Sequence, residues 1–437
     1  MRNILQHRGL RLVFIANVIS MVGSGMNSAA VTWYVLQKTH SEMALGTLLM
    51  LQTIPALLML PFTGVVIDRE DRRHLVMTLD AARAVVILIV AVLAYRGMAQ
   101  VWEIYLMAIL VAAGFWMFWP TITALIQELT PESHFVQSNA FLLAGFQGGW
   151  LIAGAIVGFV YNHIGLAGVL FLDFASYLIS FSCYLFVRKG RHTVAVADVK
   201  DAPRHESEVA RFLHELKEGI AYIRHRPKLL LLGSCWALFI GGMLSQGIIT
   251  APLSDRILNA GAVGYGWLNC GWGVGAFLGA FATPAVLRDT GHRRAVGISM
   301  ATLGASLIAL PFLGAYLRGS IHLTLAIVIS VPLLVCALVY CVMGCSRALG
   351  GVAITSTMME LVPKHFMGRV QNTFYFAGTL LQLVFSFVVG TVAHKRSLAE
   401  GFAIVGTIYL LAFLAGTWPV KAAPEPVEEP ASVSAQD

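Results

Sequence analysis

Gly64-Val65-Val66-Ile67-Asp68-Arg69-Glu70-Asp71-Arg72-Arg73 joins two long apolar runs, and its charged half is answered far downstream by Asp289-Thr290-Gly291-His292-Arg293-Arg294, again between apolar runs. Both stretches read Asp-x-x-x-Arg-Arg. Further along each half, Glu128-Leu129-Thr130-Pro131 is answered by Glu360-Leu361-Val362-Pro363. Asn139-Ala140-Phe141-Leu142-Leu143-Ala144-Gly145 is then answered by Asn372-Thr373-Phe374-Tyr375-Phe376-Ala377-Gly378. Three matches in the same order mark an internal duplication.

Composition says what is duplicated. The chain has 437 residues, 57% hydrophobic and 12% charged, where a soluble domain carries roughly a quarter charged. Apolar segments fall near 12–36, 45–67, 75–95, 101–124, 139–161, 168–187, 229–250, 264–287, 295–317, 321–346, 373–393 and 402–420. Each is long enough to cross the hydrocarbon layer as a helix of about 20 residues. The first is too long for a signal-peptide core of roughly 7–15 residues. Six spans lie on either side of the polar stretch 188–228, so the duplicated halves have an even number of crossings and are related by an axis along the membrane normal.

The basic excess, 30 Lys and Arg against 23 Asp and Glu, belongs to loops rather than to a nucleic-acid surface. With the N-terminus inside, only Lys38, Arg96, Arg256, Arg318, Lys395 and Arg396 fall on the outer side, leaving 24 of the 30 basic residues inside. Positively charged loops resist translocation, so both termini are expected in the cytoplasm. The organisation read from this is a bundle over 1–187, a linker over 188–228, a second bundle over 229–420 and a disordered tail over 421–437. Within the linker, Val209, Phe212, Leu213, Leu216, Ile220 and Ile223 recur at helical spacing. They predict an amphipathic helix on the inner membrane face.

On these motifs the chain resembles the major facilitator superfamily. The loop after the second span is similar to that family's Gly-x-x-x-Asp-Arg-x-Gly-Arg-Arg, departing at Asp71, where the family has Gly. Asn139, Phe171-Leu172-Asp173-Phe174 and Gly368-Arg369 resemble the bacterial branch of enterobactin and macrolide exporters. The resemblance implies an all-α membrane protein with twelve transmembrane helices in two six-helix bundles, related by a pseudo-two-fold axis along the membrane normal. It implies secondary active transport by alternating access, with Gly64, Asp68, Arg69, Arg72 and Arg73, and their counterparts Asp289, Arg293 and Arg294, as a gate. Physically, Gly64 permits close helix approach and Asp68 can cap a helix N-terminus, the nearest being that of the eleventh span near Gln371. The family's first, fourth, seventh and tenth helices line a cavity; here they offer Ser24, Asn27, Trp116, Trp119, Trp236, Gln246 and Tyr340, a set suited to an amphipathic substrate. Trp33, near a span end, reads as an interfacial anchor.

Acids at membrane depth are the candidates for coupling. Asp173 sits within the sixth span among Phe171, Leu172, Phe174 and Tyr177, where an ionised carboxyl is costly and a proton carrier is favoured. Asp80 and Arg83, three apart, can form a local ion pair. Relatives carry an acid in the first span, where this chain has Gly23-Ser24-Gly25 and Asn27. Gly145, Gly154 and Gly158 resemble part of an exporter glycine motif.

The expected function is a proton-coupled exporter of an amphipathic organic compound, a drug or siderophore. A lipid or lysophospholipid mover is the alternative. A membrane-embedded enzyme or receptor would need His and carboxylates clustered at one depth, and the thirteen histidines are mostly in loops. No ATP-binding loop occurs; Gly271, Gly273, Gly275 and Gly279 read as packing. The cysteines read as packing residues, and no metal site or cofactor is expected beyond the proton gradient as energy source. The expected partners are a small-molecule substrate, protons and membrane lipids, the chain acting as a monomer in the bacterial cytoplasmic membrane.

Overall fold

The computed structural model describes residues 8–130, 135–187, 208–320, 324–325 and 329–419, and these are almost wholly helical. In order they form α1 (Arg8–Thr39), α2 (Glu42–Arg69), α3 (Arg72–Tyr95), α4 (Val101–Leu129), α5 (Phe135–Leu185), α6 (Glu208–Arg224), α7 (Pro227–Pro252), α8 (Gly261–Thr290), α9 (His292–Ser320), α10 (Val331–Leu361), α11 (Lys364–Lys395) and α12 (Leu398–Thr417). A π-helical turn, Leu253–Ile257, extends α7, and β1 (Thr324–Leu325) pairs antiparallel with β2 (Ile329–Ser330) before α10. Hydrocarbon offers no partner to a free backbone amide, so spanning segments must satisfy their own hydrogen bonds as helices.

Eleven of these helices are long and apolar enough to cross a membrane. They supply twelve crossings because α5 is two of them. Its 51 residues would extend about 77 Å as one straight helix, more than twice the hydrocarbon thickness. The run breaks at Gly165, whose φ of 63° and ψ of −170° are open to glycine alone. Ala153 and Ser176, on either side of that break, abut Gly25 and Gly23 of α1. The chain therefore folds back at Gly165, and the two limbs of α5 are the fifth and sixth spans.

Local chemistry sets the helix starts. Ser41, Asp71, Ser330 and Ser397 each accept a backbone N–H in the first turn of the helix that follows. Asp71, standing where the resembled family has Gly, does this for α3 by accepting from His74 N at 3.1 Å. Glu70 and Asp71 have φ of −102° and −64°, so this turn needs no left-handed residue. α11 begins at Lys364, two turns before the start expected near Gln371. In the linker, α6 is bound to α11: Tyr222 stacks on Phe366 at 4.5 Å, and Arg369 pairs with Glu218 at 2.9 Å. The earlier linker and the tail from 420 lie outside the described residues.

The duplication is visible in the tethers at one end of the bundle, the end bearing the α2–α3 and α8–α9 turns. Arg73 Nε and Nη2 donate to the carbonyls of Tyr184 and Leu185, at the C-terminus of α5 (2.8 and 2.7 Å). Arg293 donates to the carbonyl of Thr417, at the C-terminus of α12. Each cation thus satisfies the orphan carbonyls of the last helix in its half. Arg72 pairs with Glu128 at 3.0 Å and His292 lies 3.9 Å from Glu360, joining α3 to α4 and α9 to α10. The Asp-x-x-x-Arg-Arg match aligns Arg72 with Arg293, but in space Arg293 does the work of Arg73 and His292 that of Arg72. The structural repeat is one residue out of step with the sequence repeat.

The halves meet along two seams, α2 with α11 and the first limb of α5 with α8. These are the second and fifth spans of one half against the fifth and second of the other, the reciprocal pairing of a two-fold axis. Gly46 faces Ser386 and Gly390, while Gly154 and Gly158 face Ala262, Val263, Gly266 and Asn269. Small residues let these backbones approach closely. Most of these contacts lie toward the end away from the arginine tethers, hereafter the far end. There one buried apolar cluster runs through both halves, whereas at the tethered end Leu10, Val13, Val76, Phe118, Ile122, Leu125 and Tyr184 form a separate core within the N-terminal half.

Gly275 shows how tight the packing within a half is, since a Cβ there would run into the backbone of Cys341 on α10. Gly275→Ala should destabilise the protein by about 1–3 kcal/mol, whereas Gly148→Ala, with nothing within 4 Å, should be neutral or better. Thermal unfolding of the two variants in detergent checks this.

Candidate functional site

A polar cluster occupies the interior of the N-terminal half, where α1, α3, α4 and the second limb of α5 converge. Arg83, 1% exposed near the middle of α3, pairs through Nη2 with Asp80 Oδ1, while the Ser180 hydroxyl donates to Asp80 Oδ2 at 2.6 Å. The guanidinium lies between the rings of Phe118 and Tyr177, 4.6 and 4.5 Å from their centroids. Gly114 on α4 makes room for it, as a Cβ there would come within 2.8 Å of the Arg83 stem. The Tyr177 hydroxyl is hydrogen-bonded to Ser24 at 2.8 Å.

Asp173 completes the cluster and is fully buried. Asn27 Nδ2 donates to Asp173 Oδ2 at 2.7 Å, and the Ser176 hydroxyl lies 3.3 Å from Oδ1. Only one of the two buried carboxyls thus reaches the guanidinium. Asp80 takes the ion pair and Asp173 is held by neutral donors, an arrangement suited to a carboxyl that gains and loses a proton.

The cavity candidates fall into groups rather than one lining. Ser24 and Asn27 belong to the cluster just described. Trp116 donates to the Gln52 carbonyl at 3.4 Å and meets Tyr375 of α11 edge-on at 6.1 Å, while Trp119 packs on Phe146 at 5.0 Å. On the C-terminal half, Trp236 stacks on Phe239 at 5.6 Å, and the Tyr340 and Thr250 hydroxyls are bonded at 2.9 Å beside the buried Gln246. Trp33 is not an interfacial anchor: it is 3% exposed and stacks on Tyr265 of α8 at 6.2 Å, across the two halves.

Of the gate residues, the side chains of Gly64, Asp68 and Arg69 lie outside the described residues. Arg72, Arg73 and Arg293 hold helices together within their own halves, as described above. Asp289 is exposed and pairs with its neighbour Arg288 at 3.2 Å, and Arg294 is exposed.

Two features escaped the sequence reading. Arg83 and Arg347 are among the 24 basic residues that the charge pattern assigns to the inner side, yet both lie near the middle of their helices. Arg347, on α10, donates from Nε to the Met243 sulfur at 2.9 Å and sits 5.9 Å over the Trp272 ring. The second is a clasp at the far end. Glu42, the first residue of α2, is fully buried; Arg256 Nη1 approaches its Oε1 to 2.6 Å, off the line of a hydrogen bond, and His394 Nδ1 lies 3.4 Å from its Oε2. Arg256 also donates to the His40 carbonyl at 2.9 Å, and three turns further along α2 Thr53 accepts from Gln382 of α11 at 2.6 Å. These contacts join the halves, and no local motif announces them, because their partners are more than 200 residues apart.

Comparison with known proteins bears on the same arrangement. The family model described as Major Facilitator Superfamily matches residues 13–386. The chain is similar to the multidrug efflux pump Tap of Mycolicibacterium fortuitum, 22% identical over 367 residues and 83% of each chain. It is also similar to macrolide efflux protein A of Streptococcus pyogenes, 22% identical over 228 residues, but spans only 54% of that protein and 51% of its own length in the match. The crystal structure of the nucleoside transporter NupG superimposes with a TM-score of 0.71 at 12% identity, covering 93% of this chain and 98% of that one, a likeness of fold. A helical membrane protein of two pseudo-symmetric halves, matched over most of its length by that model, belongs to the Major Facilitator Superfamily.

Proposed function

We propose that this transporter exports an amphipathic organic compound by alternating access, driven by the inward proton gradient, with its tethered, basic end in the cytoplasm. The observation that carries the coupling is Asp173, a fully buried carboxyl left over once Asp80 has paired with Arg83. Protonated, it rests on Asn27 and Ser176. Ionised, it attracts the Arg83 guanidinium, with which it makes no ion pair here and whose Nη1 is buried without a hydrogen-bond partner among the described residues. Arg83 can then be drawn between two carboxylates on α3 and α5, shifting the helices it bridges.

Asn27 and Ser24 link this centre to α1, so a proton bound at Asp173 changes the packing of a helix that also meets α8 through Trp33 and Tyr265. Export agrees with the efflux pumps among the similar proteins and with the basic excess at one end. The far-end clasp on Glu42 and the continuous core beside it support a resting shape closed at that end and accessible from the basic end.

In proteoliposomes with an imposed pH gradient, efflux of a catecholate siderophore should follow the gradient in the wild-type protein. Asp173→Asn should abolish that dependence while counterflow exchange persists; retained dependence would discard Asp173 as the coupling group. For the clasp, Glu42→Gln should raise the population open at the far end roughly tenfold, the change that 1.4 kcal/mol produces. Spin-label distances between the start of α2 and the end of α11 report it, and unchanged distributions would assign closure to the glycine seams alone.

A further inference from the structure

We propose that the substrate is an organic anion and that Arg347 receives its charge: a carboxylate or comparable oxyanion borne on an aromatic or otherwise apolar body. Arginines at membrane depth are costly and are normally paired. The chain shows both conditions. Arg83 is matched by Asp80 and enclosed by two rings, whereas no described carboxylate pairs with Arg347, whose Nε is spent on a thioether, a weak acceptor. Its remaining N–H groups form the planar fork that fits a carboxylate with two parallel bonds.

The surroundings are those of a binding site rather than a packing accident. Tyr340 and Arg347 are seven residues apart on one face of α10, and Met243, Gln246 and Thr250 share the facing side of α7. Trp272 of α8 lies beneath both α10 residues, 6.4 Å from the Tyr340 ring and 5.9 Å from the guanidinium, and gives an apolar body a surface beside the charge. Tyr409 of α12 lies against Gly242, next to Met243. The Tyr409 hydroxyl, Trp236 Nε1 and Gln246 Oε1 are all buried with no hydrogen-bond partner among the described residues. Two of these three are donors, as an anion requires. The carboxyl assigned to the proton lies in the other half, so the two charges of an exchange cycle have separate seats.

The proposal deepens the transport reading but not its coupling, so the assay is equilibrium binding to the full-length protein in nanodiscs at constant pH, without a gradient. The probes are 2-naphthoate, 2-naphthamide and 2-naphthylmethylammonium, matched in body and differing in charge, titrated by calorimetry. The carboxylate is expected to bind roughly tenfold tighter than the amide, and the ammonium weakest. Arg347→Gln should bring the carboxylate down to the amide and leave the amide unchanged. If that variant does not fold, Arg347→Lys decides, because it keeps the charge and loses the fork: a carboxylate weakened with the amide unaltered supports the site, and no change overturns it. Wild-type protein that binds the three alike, or binds none, overturns it as well. A failed gradient experiment with Asp173→Asn leaves this result standing, so the two readings fail separately.

Discussion

A charge moved into hydrocarbon loses its hydration, and whatever replaces that hydration fixes the position of the helices that supply it. Most of the interior of this protein can be understood from that constraint. Asp80 and Arg83 sit within one helix, but their remaining contacts reach Ser180, Phe118 and Tyr177, so one ion pair ties α3 to α4 and to the second limb of α5. Glu42 plays the same part between the halves, holding Arg256 and His394 against the start of α2. Arg347 is the case in which the protein's described groups leave the demand unmet.

Around these fixed points the packing is made by small residues. Gly271, Gly275 and Gly279 bring α8 against α10, and Gly154 and Gly158 bring α5 against α8. The same helix therefore uses one face to hold its own half together and another to meet the opposite half. Lipid tails are as apolar as the side chains they would replace, so close backbone approach has to supply the attraction that water supplies elsewhere.

The fold was legible in the sequence because its signals are local or repeated: apolar runs of membrane length, arginine-rich loops and three motif pairs in register. The pairing on α3 was legible too, since Asp80 and Arg83 are three residues apart, though the depth of Arg83 was not. The rest was not, for reasons of distance and depth. Asn27 finds Asp173 across 146 residues, and His394 finds Glu42 across 352. Arg347 looked like a loop residue because counting bases by sign ignores where along a helix each one falls. The reversal at Gly165 was legible as the gap between the apolar segments 139–161 and 168–187, although the helix runs on to that glycine without a polar loop. The shift of one residue between Arg73 and Arg293 shows that a duplicated function can drift off a duplicated motif when either of two adjacent side chains can reach the same carbonyl.

The apolar core is continuous across the halves at the far end and divided at the tethered end, and this makes the two ends mechanically unlike. Parting the halves at the far end means separating glycine-packed backbones and stripping Glu42 of its partners, whereas at the other end the N-terminal half already has a core of its own. In this structure the halves meet at the far end both through glycine-lined backbones and through the side chains around Glu42, so parting them there must break two kinds of contact at once.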